Sequence, residues 1–200
     1  MNISNFRKVF WGLAGIAALF SAGVLLWSEL SADRAQTEIE PPFFAAFELT
    51  DHKGTIRTEK DFTGRFMLVF FGFTNCPDVC PTTLAEVSIV MELLGDESEN
   101  VQPIFITVDP ERDTQTALAE YVPLFDTRTI GLTGTQEQIA QTTDIFPIYH
   151  EKIEETSTLD AYTVSHTSHL LLFDRDAGFV ESWTYGTPAN KIFADIIQRI

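Results

Sequence analysis

Cys76 and Cys80 are the two cysteines of this 200-residue chain, and only Pro77, Asp78 and Val79 separate them. Thiols this close can close a disulfide or act as two soft thiolate ligands to one metal ion. Two thiolates select Cu(I), or serve zinc where two further ligands complete the set. The loop is longer by one residue than the Cys-x-x-Cys of common redox motifs. Asp78, lying between the thiols, opposes thiolate formation in the metal-free state and attracts a cation. Both effects tilt the pair from disulfide exchange toward metal capture.

A metal would need a third partner, and the chain offers His52, His150, His166 and His169. His52 falls in a predicted hairpin turn, which places it in solvent. His150 has acidic neighbours and no pairing signal. His166 and His169 are an odd number of residues apart, so in extended chain they point to opposite faces and would not share one ion. His166 lies in a polar loop, Tyr162-Thr163-Val164-Ser165-His166-Thr167-Ser168-His169, that enters an apolar strand. A loop histidine is more often a surface residue than a ligand, so spacing alone does not single it out.

The elements around the cysteines are legible. Phe66 to Phe73 is almost continuously apolar, the mark of a strand buried on both faces. After the cysteines, Pro81 to Leu94 reads as a helix with Leu84, Val87, Met91 and Leu94 on one face and Gly95 past its end. Before them, Phe47-Glu48-Leu49 and Thr55 to Thr58 flank a hairpin turn. A second strand, Ile104 to Val108, runs into Asp109-Pro110-Glu111-Arg112-Asp113-Thr114, and a helix from Gln115 to Phe125 follows. Ile130 to Leu132 is a short strand, and Thr135 with Gln138 makes a capping box for the next helix. Ile148 to Ile153 has strand character. His169 to Phe173 and Val180 to Tyr185 form a hairpin, and a last helix opens at Thr187-Pro188 with Ile192, Phe193, Ile196, Ile197 and Ile200 inward. This order predicts an α/β fold, a thioredoxin-like domain of mixed sheet flanked by helices. The cysteines then sit at the carboxyl edge of the sheet, where ligands collect, and a helix N-terminus favours thiolate there. Asp109, Glu111 and Asp113 read as a solvated loop, with Asp113 or Thr114 capping the helix; the competing reading is an acidic rim beside the cysteine site.

Val9 to Trp27 carries no charge over 19 residues, or roughly 28 Å of helix, enough to span a bilayer. Arg7 and Lys8 precede it and acidic residues follow, so residues 1–8 are placed in the cytoplasm and the remainder across the membrane. The anchor is read as uncleaved, because a signal peptide would have a shorter apolar part and Leu30 spoils the cleavage pattern. Residues 28–42 are an acidic linker ending in Pro-Pro, and 43–200 form one domain. Net charge is −16, and such a surface repels nucleic acid. The exported location exposes the dithiol to oxidation.

Three stretches together resemble one family: Phe70-Phe71-Gly72-Phe73-Thr74-Asn75-Cys76-Pro77-Asp78-Val79-Cys80-Pro81, then Thr107 to Thr114, then Tyr162 to Thr167. They are similar, in order, to the signature of the Sco (SenC) copper proteins. The resemblance covers Phe43 to Ile200 and implies a copper ion bound by Cys76, Cys80 and His166, with His169 left as a strand residue. It further implies a metallochaperone of the bacterial inner membrane, its domain in the periplasm, that assists assembly of the cytochrome c oxidase copper site. The copper-bearing oxidase subunit would be its partner, with a periplasmic copper donor or thiol reductant upstream. Members often carry Asp directly before the ligand histidine, whereas this chain has Ser165; loss of that carboxylate would weaken Cu(II) binding relative to Cu(I). Other classes stay in view. A thiol-disulfide oxidoreductase would use Cys76 and Cys80 as a redox-active pair without copper, a peroxidase of related fold would use one cysteine as nucleophile, and a structural zinc knuckle would need a fourth ligand that nothing near the pair provides.

Overall fold

Glu48–Asp51 (β1) and Ile56–Thr58 (β2) pair antiparallel, and the Asp51 carboxylate closes their turn by accepting the N–H groups of Lys53 and Thr55 and pairing with Arg57. The structure, a computed structural model, describes residues 43–146, 148–154 and 162–200, together with Ser21. The expected membrane helix over 9–27, Ser21 apart, and the linker over 28–42 lie outside the described residues. Among the described residues no helix is long and apolar enough to cross a membrane.

The centre of the fold is Phe66–Gly72 (β3), with every residue buried, running parallel to Val101–Thr107 (β4), also buried throughout. Burial on both faces is what their unbroken apolar runs require. The crossover between them is Val79–Leu94 (α1), which buries Leu84, Val87, Met91 and Leu94 as the 3.6 period demands. It ends at Gly95, whose φ of 53° only glycine adopts freely. β4 starts three residues before the expected Ile104 and includes Pro103, a residue that argues against a central strand. Pro103 is tolerated because pairing with the next strand begins only at Ile104.

Gln115–Tyr121 (α2), capped by the Thr114 hydroxyl and continued by a 3₁₀ turn over Val122–Leu124, leads to Ile130–Thr133 (β5). This helix is shorter than expected because Pro123 interrupts its pattern. Gln136–Ile145 (α3) opens with the predicted reciprocal cap between Thr135 and Gln138. His150–Glu154 (β6) and Tyr162–His166 (β7) form a separate two-stranded sheet. Leu170–Phe173 (β8) and Phe179–Trp183 (β9) make the closing hairpin, with His169 just outside it, and Ala189–Ile197 (α4) packs against α1. Of the expected inward residues of α4, Ile192 and Ile196 are buried while Ile197 is exposed at the helix end.

The main sheet has the order β2-β1-β5-β4-β3-β8-β9, parallel at β3, β4 and β5 and antiparallel elsewhere. Phe146 packs edge-on to Phe71 and Phe173, and Phe43 stacks on Phe179 at 4.7 Å. Each such ring contributes on the order of 2 kcal/mol of transfer free energy. The carboxyl ends of β3 and β4 therefore open onto a rigid base, and the cysteine loop starts there.

Candidate metal site

Gly72 ends β3, and six residues later Asp78 caps α1, so Cys76 lies in the loop and Cys80 in the first turn of the helix. Cys80 is fully buried, Cys76 is half-buried, and both are free thiols. The Cys80 N–H donates to Cys76 Sγ at 3.4 Å. The positive end of the helix is thus aimed at Cys76 rather than at the cysteine the helix carries. Donation from the Cys80 thiol is the largest effect on Cys76, and the N–H groups of Asp78 and Cys80 add to it. Against partial burial, these hold the Cys76 thiol at about 3. Cys80, as donor and as a buried group, is pushed well above the ordinary thiol range. The expectation that Asp78 would oppose thiolate formation is corrected here. Its side chain is exposed, and what it presents to Cys76 is a backbone N–H.

A Cβ on Gly72 would lie 2.8 Å from Cys80 Sγ and 2.9 Å from the Phe105 ring. The sulfur occupies the space that the absent side chain leaves. In the sequence this glycine reads only as an interruption of an apolar run.

His166 arrives from the end of β7, 86 residues away along the chain, with Nε2 3.6 Å from Cys80 Sγ. Its Nδ1 is 3.1 Å from the Thr167 carbonyl. A carbonyl can only accept, so Nδ1 carries a proton, and it is in the neutral ring that Nε2 has a lone pair to offer toward the sulfurs. Phe70 and Phe73 flank the ring edge-on and fix its orientation. A sulfur at about 2.3 Å and a nitrogen at about 2.0 Å from one ion are roughly 3.5–3.7 Å apart for tetrahedral to trigonal angles. The observed 3.6 Å falls in that interval, and two sulfurs with one unprotonated imidazole are a soft donor set. Among the described residues no three His, Cys, Asp or Glu side chains are placed closely enough to hold a metal ion as they stand. The three residues adjoin one another, and an ion between them would draw the set together.

The other histidines divide. His169 follows β7 in the connection to β8 and is not among the site contacts. His52 was expected in solvent, yet it is buried, and its Nδ1 accepts the Gly131 N–H at 3.0 Å. The turn folds the ring back onto the edge of β5, a long-range contact that local turn chemistry does not encode. His150 stands directly opposite His166 in the β6–β7 ladder. Ser165, one residue before His166, is exposed on the other face of that ladder.

The expectation of a solvated loop at Asp109, Glu111 and Asp113 holds for Glu111 and fails for the two aspartates, which are buried. Asp113 accepts the Thr74 N–H and the hydroxyls of Thr74 and Thr107. It therefore ties the cysteine loop to the end of β4. Asp109 accepts from Arg112 Nε and the Tyr162 hydroxyl, and Arg112 donates to the Tyr162 carbonyl while lying 3.8 Å over its ring. Lys152 reaches Glu111 at 2.6 Å. One segment thus clamps the cysteine loop on one side and the histidine-bearing strands on the other. Thr114, as expected, caps α2.

A buried mixed sheet with a dithiol at the head of its first crossover helix, met by an imidazole from a later strand, is a thioredoxin-like domain with a soft donor set at its sheet edge. The chain matches the SCO1/SenC family over residues 35–200. It is 38% identical to the mitochondrial SCO2 homolog of Bos taurus, across 96% of this chain and 74% of that protein. Among solved structures it is similar to Bradyrhizobium japonicum ScoI with copper bound (38% identity, TM-score 0.72, 79% of this chain and 99% of that one). Yeast Sco1 with copper bound gives 30% identity and a TM-score of 0.72 over 79% and 88% of the two chains. The protein belongs to the SCO1/SenC family.

Proposed function

We propose that the protein is a membrane-anchored copper chaperone that holds copper through Cys76, Cys80 and His166 and serves assembly of the cytochrome c oxidase copper site. Two relatives were solved with copper bound, which supports copper as cargo. The observation that carries the reading is His166 Nε2 at 3.6 Å from Cys80 Sγ, with Cys76 Sγ gathered into the same helix N-terminus. Copper, as cargo, supplies an electrophilic centre that a thiol of the acceptor can attack.

The chain's own residues account for uptake and release. Cys76 is already a thiolate at neutral pH, so it needs no base to engage the ion. Cys80 loses its proton on binding, which makes uptake pH-dependent. The hydrogen bond from His166 to Thr167 keeps Nε2 available. The half-exposed face of Cys76 leaves a side from which an acceptor thiol can displace the ligands one by one. The reading includes residues 9–27 as the anchor, 28–42 as a tether, and the domain from 43 in the periplasm of a bacterial inner membrane. The copper-bearing subunit of the oxidase is the acceptor, with a periplasmic copper donor or thiol reductant upstream.

A second reading is favoured by the Cys76 thiolate. It can attack a partner's disulfide to form a mixed disulfide; Cys80 then gives up its proton and attacks Cys76 Sγ. The partner leaves as a dithiol, and a Cys76–Cys80 disulfide remains. One experiment separates the readings: oxidase assembly in cells carrying His166→Ala. Copper delivery predicts loss equal to that of Cys76→Ser. Reduction alone predicts near-normal assembly in His166→Ala and loss only in the cysteine variants.

A further inference from the structure

His150 has no part in the dithiol–imidazole set, yet the β6–β7 register pairs it with His166. The Thr167 N–H donates to the Tyr149 carbonyl at 2.9 Å, which makes Tyr149 and Thr167 the hydrogen-bonded pair of the ladder. Pairs alternate in an antiparallel ladder, so His150 and His166 form a non-hydrogen-bonded pair. Such pairs have Cα atoms about 4.5 Å apart and their side chains at closest approach. Both rings are on the face that turns toward the domain, because Val164 on that face is buried and Tyr162 and Lys152 reach Asp109 and Glu111 from it. His150 lines a cavity of about 300 Å³ beneath the two strands, together with Val108, Asp109, Ile139 and Val164.

Position 165, by contrast, is on the outer face. His166 has already committed Nδ1 to Thr167, so it can give one nitrogen only. Cu(I) is content with two thiolates and one imidazole, whereas Cu(II) favours a tetragonal set with further nitrogen or oxygen donors. The residue directly across the ladder from His166 on the inner face is His150, whose imidazole offers such a nitrogen.

We propose that His150 is a second imidazole ligand, engaged when the site holds Cu(II) and idle when it holds Cu(I). This rests on the reading that Cys76, Cys80 and His166 bind copper. The test uses the full-length reduced chain, loaded anaerobically with Cu(I) or with Cu(II), in wild-type, His150→Ala and His150→Phe forms. Phenylalanine keeps a ring in the cleft and removes the nitrogen. In the wild type, nitrogen hyperfine structure in the electron paramagnetic resonance spectrum counts two imidazoles. Both variants should drop to one, with Cu(II) affinity down on the order of tenfold or more and Cu(I) affinity moved less than about twofold. A wild-type spectrum with one nitrogen, a chain that gives no Cu(II) spectrum, or variants indistinguishable from wild type overturns the proposal. Loss in His150→Ala that His150→Phe restores also overturns it, since packing alone would then be at work. Cu(I) titration of His166→Ala reports on the underlying reading separately: full Cu(I) affinity there removes the foundation, whatever the Cu(II) spectra show.

Discussion

Gly72→Ala is expected to damage copper binding out of proportion to its size. The new methyl would sit 2.8 Å from Cys80 Sγ, 2.9 Å from Phe105 and 3.0 Å from Phe70, and all three neighbours are buried. An ordinary contact needs roughly 3.4 Å, so something must move by about 0.6 Å. The two rings are wedged in the sheet core, which leaves the sulfur as the atom with somewhere to go. Overpacking of this kind costs about 1–3 kcal/mol of stability. Metal–ligand distances tolerate only about 0.2 Å, so the displaced sulfur should lower Cu(I) affinity by at least about tenfold. The matched control is Gly131→Ala, whose methyl would meet Val122 at 2.8 Å and no sulfur. Chemical denaturation gives the stability of each variant, and competition against a Cu(I) chelator gives the affinity. Comparable destabilisation with loss of affinity in Gly72→Ala alone supports the account. Wild-type affinity in Gly72→Ala, or equal loss in Gly131→Ala, refutes it.

Alkylation by iodoacetamide near pH 6, followed by peptide mapping, should label Cys76 and spare Cys80, because one is a half-exposed thiolate and the other a buried thiol; equal labelling contradicts the asymmetry. Asp113→Ala should cost at least about 2 kcal/mol in urea, since it strands the part-buried Thr74 N–H and two hydroxyls, that of Thr107 buried. Asp113→Asn should cost less, and a neutral Asp113→Ala would remove the clamp from the account. Stability should fall on acidification below about pH 6.5. Burial holds the folded-state value of His52 below its ordinary one, so the unfolded chain takes up the proton first. The contribution is whole above pH 6.5 and declines as pH drops toward the depressed value, by at most about 1.4 kcal/mol per pH unit. His52→Asn keeps an acceptor for Gly131 and should flatten that part of the profile; an unchanged slope refutes the assignment.

What the sequence discloses is what neighbours along the chain decide. The apolar run of β3, the period of α1, the Thr135–Gln138 cap and the close pair of thiols are local patterns, and each stands where expected. Their order was enough to place the dithiol at the sheet's carboxyl edge. His166 was different: nothing in its own surroundings distinguishes it, and it came into view only through resemblance of three separated stretches. The features missed depend on contacts between distant segments. Asp113 looks like an ordinary loop carboxylate until Thr74, 39 residues earlier, donates to it. His52 looks like a turn residue until Gly131 arrives. The register that sets His150 against His166 belongs to two strands that nothing in the sequence marks as partners. Gly72 shows its purpose only when the Cys80 sulfur is placed beside it.

The central claim is that two sulfurs and one imidazole share a single copper ion. X-ray absorption at the copper edge of the reduced, Cu(I)-loaded full-length chain counts these neighbours directly. The account predicts two sulfur scatterers and one nitrogen, with the nitrogen lost in His166→Ala. Two sulfurs with no nitrogen, or a spectrum that His166→Ala leaves unchanged, would contradict it.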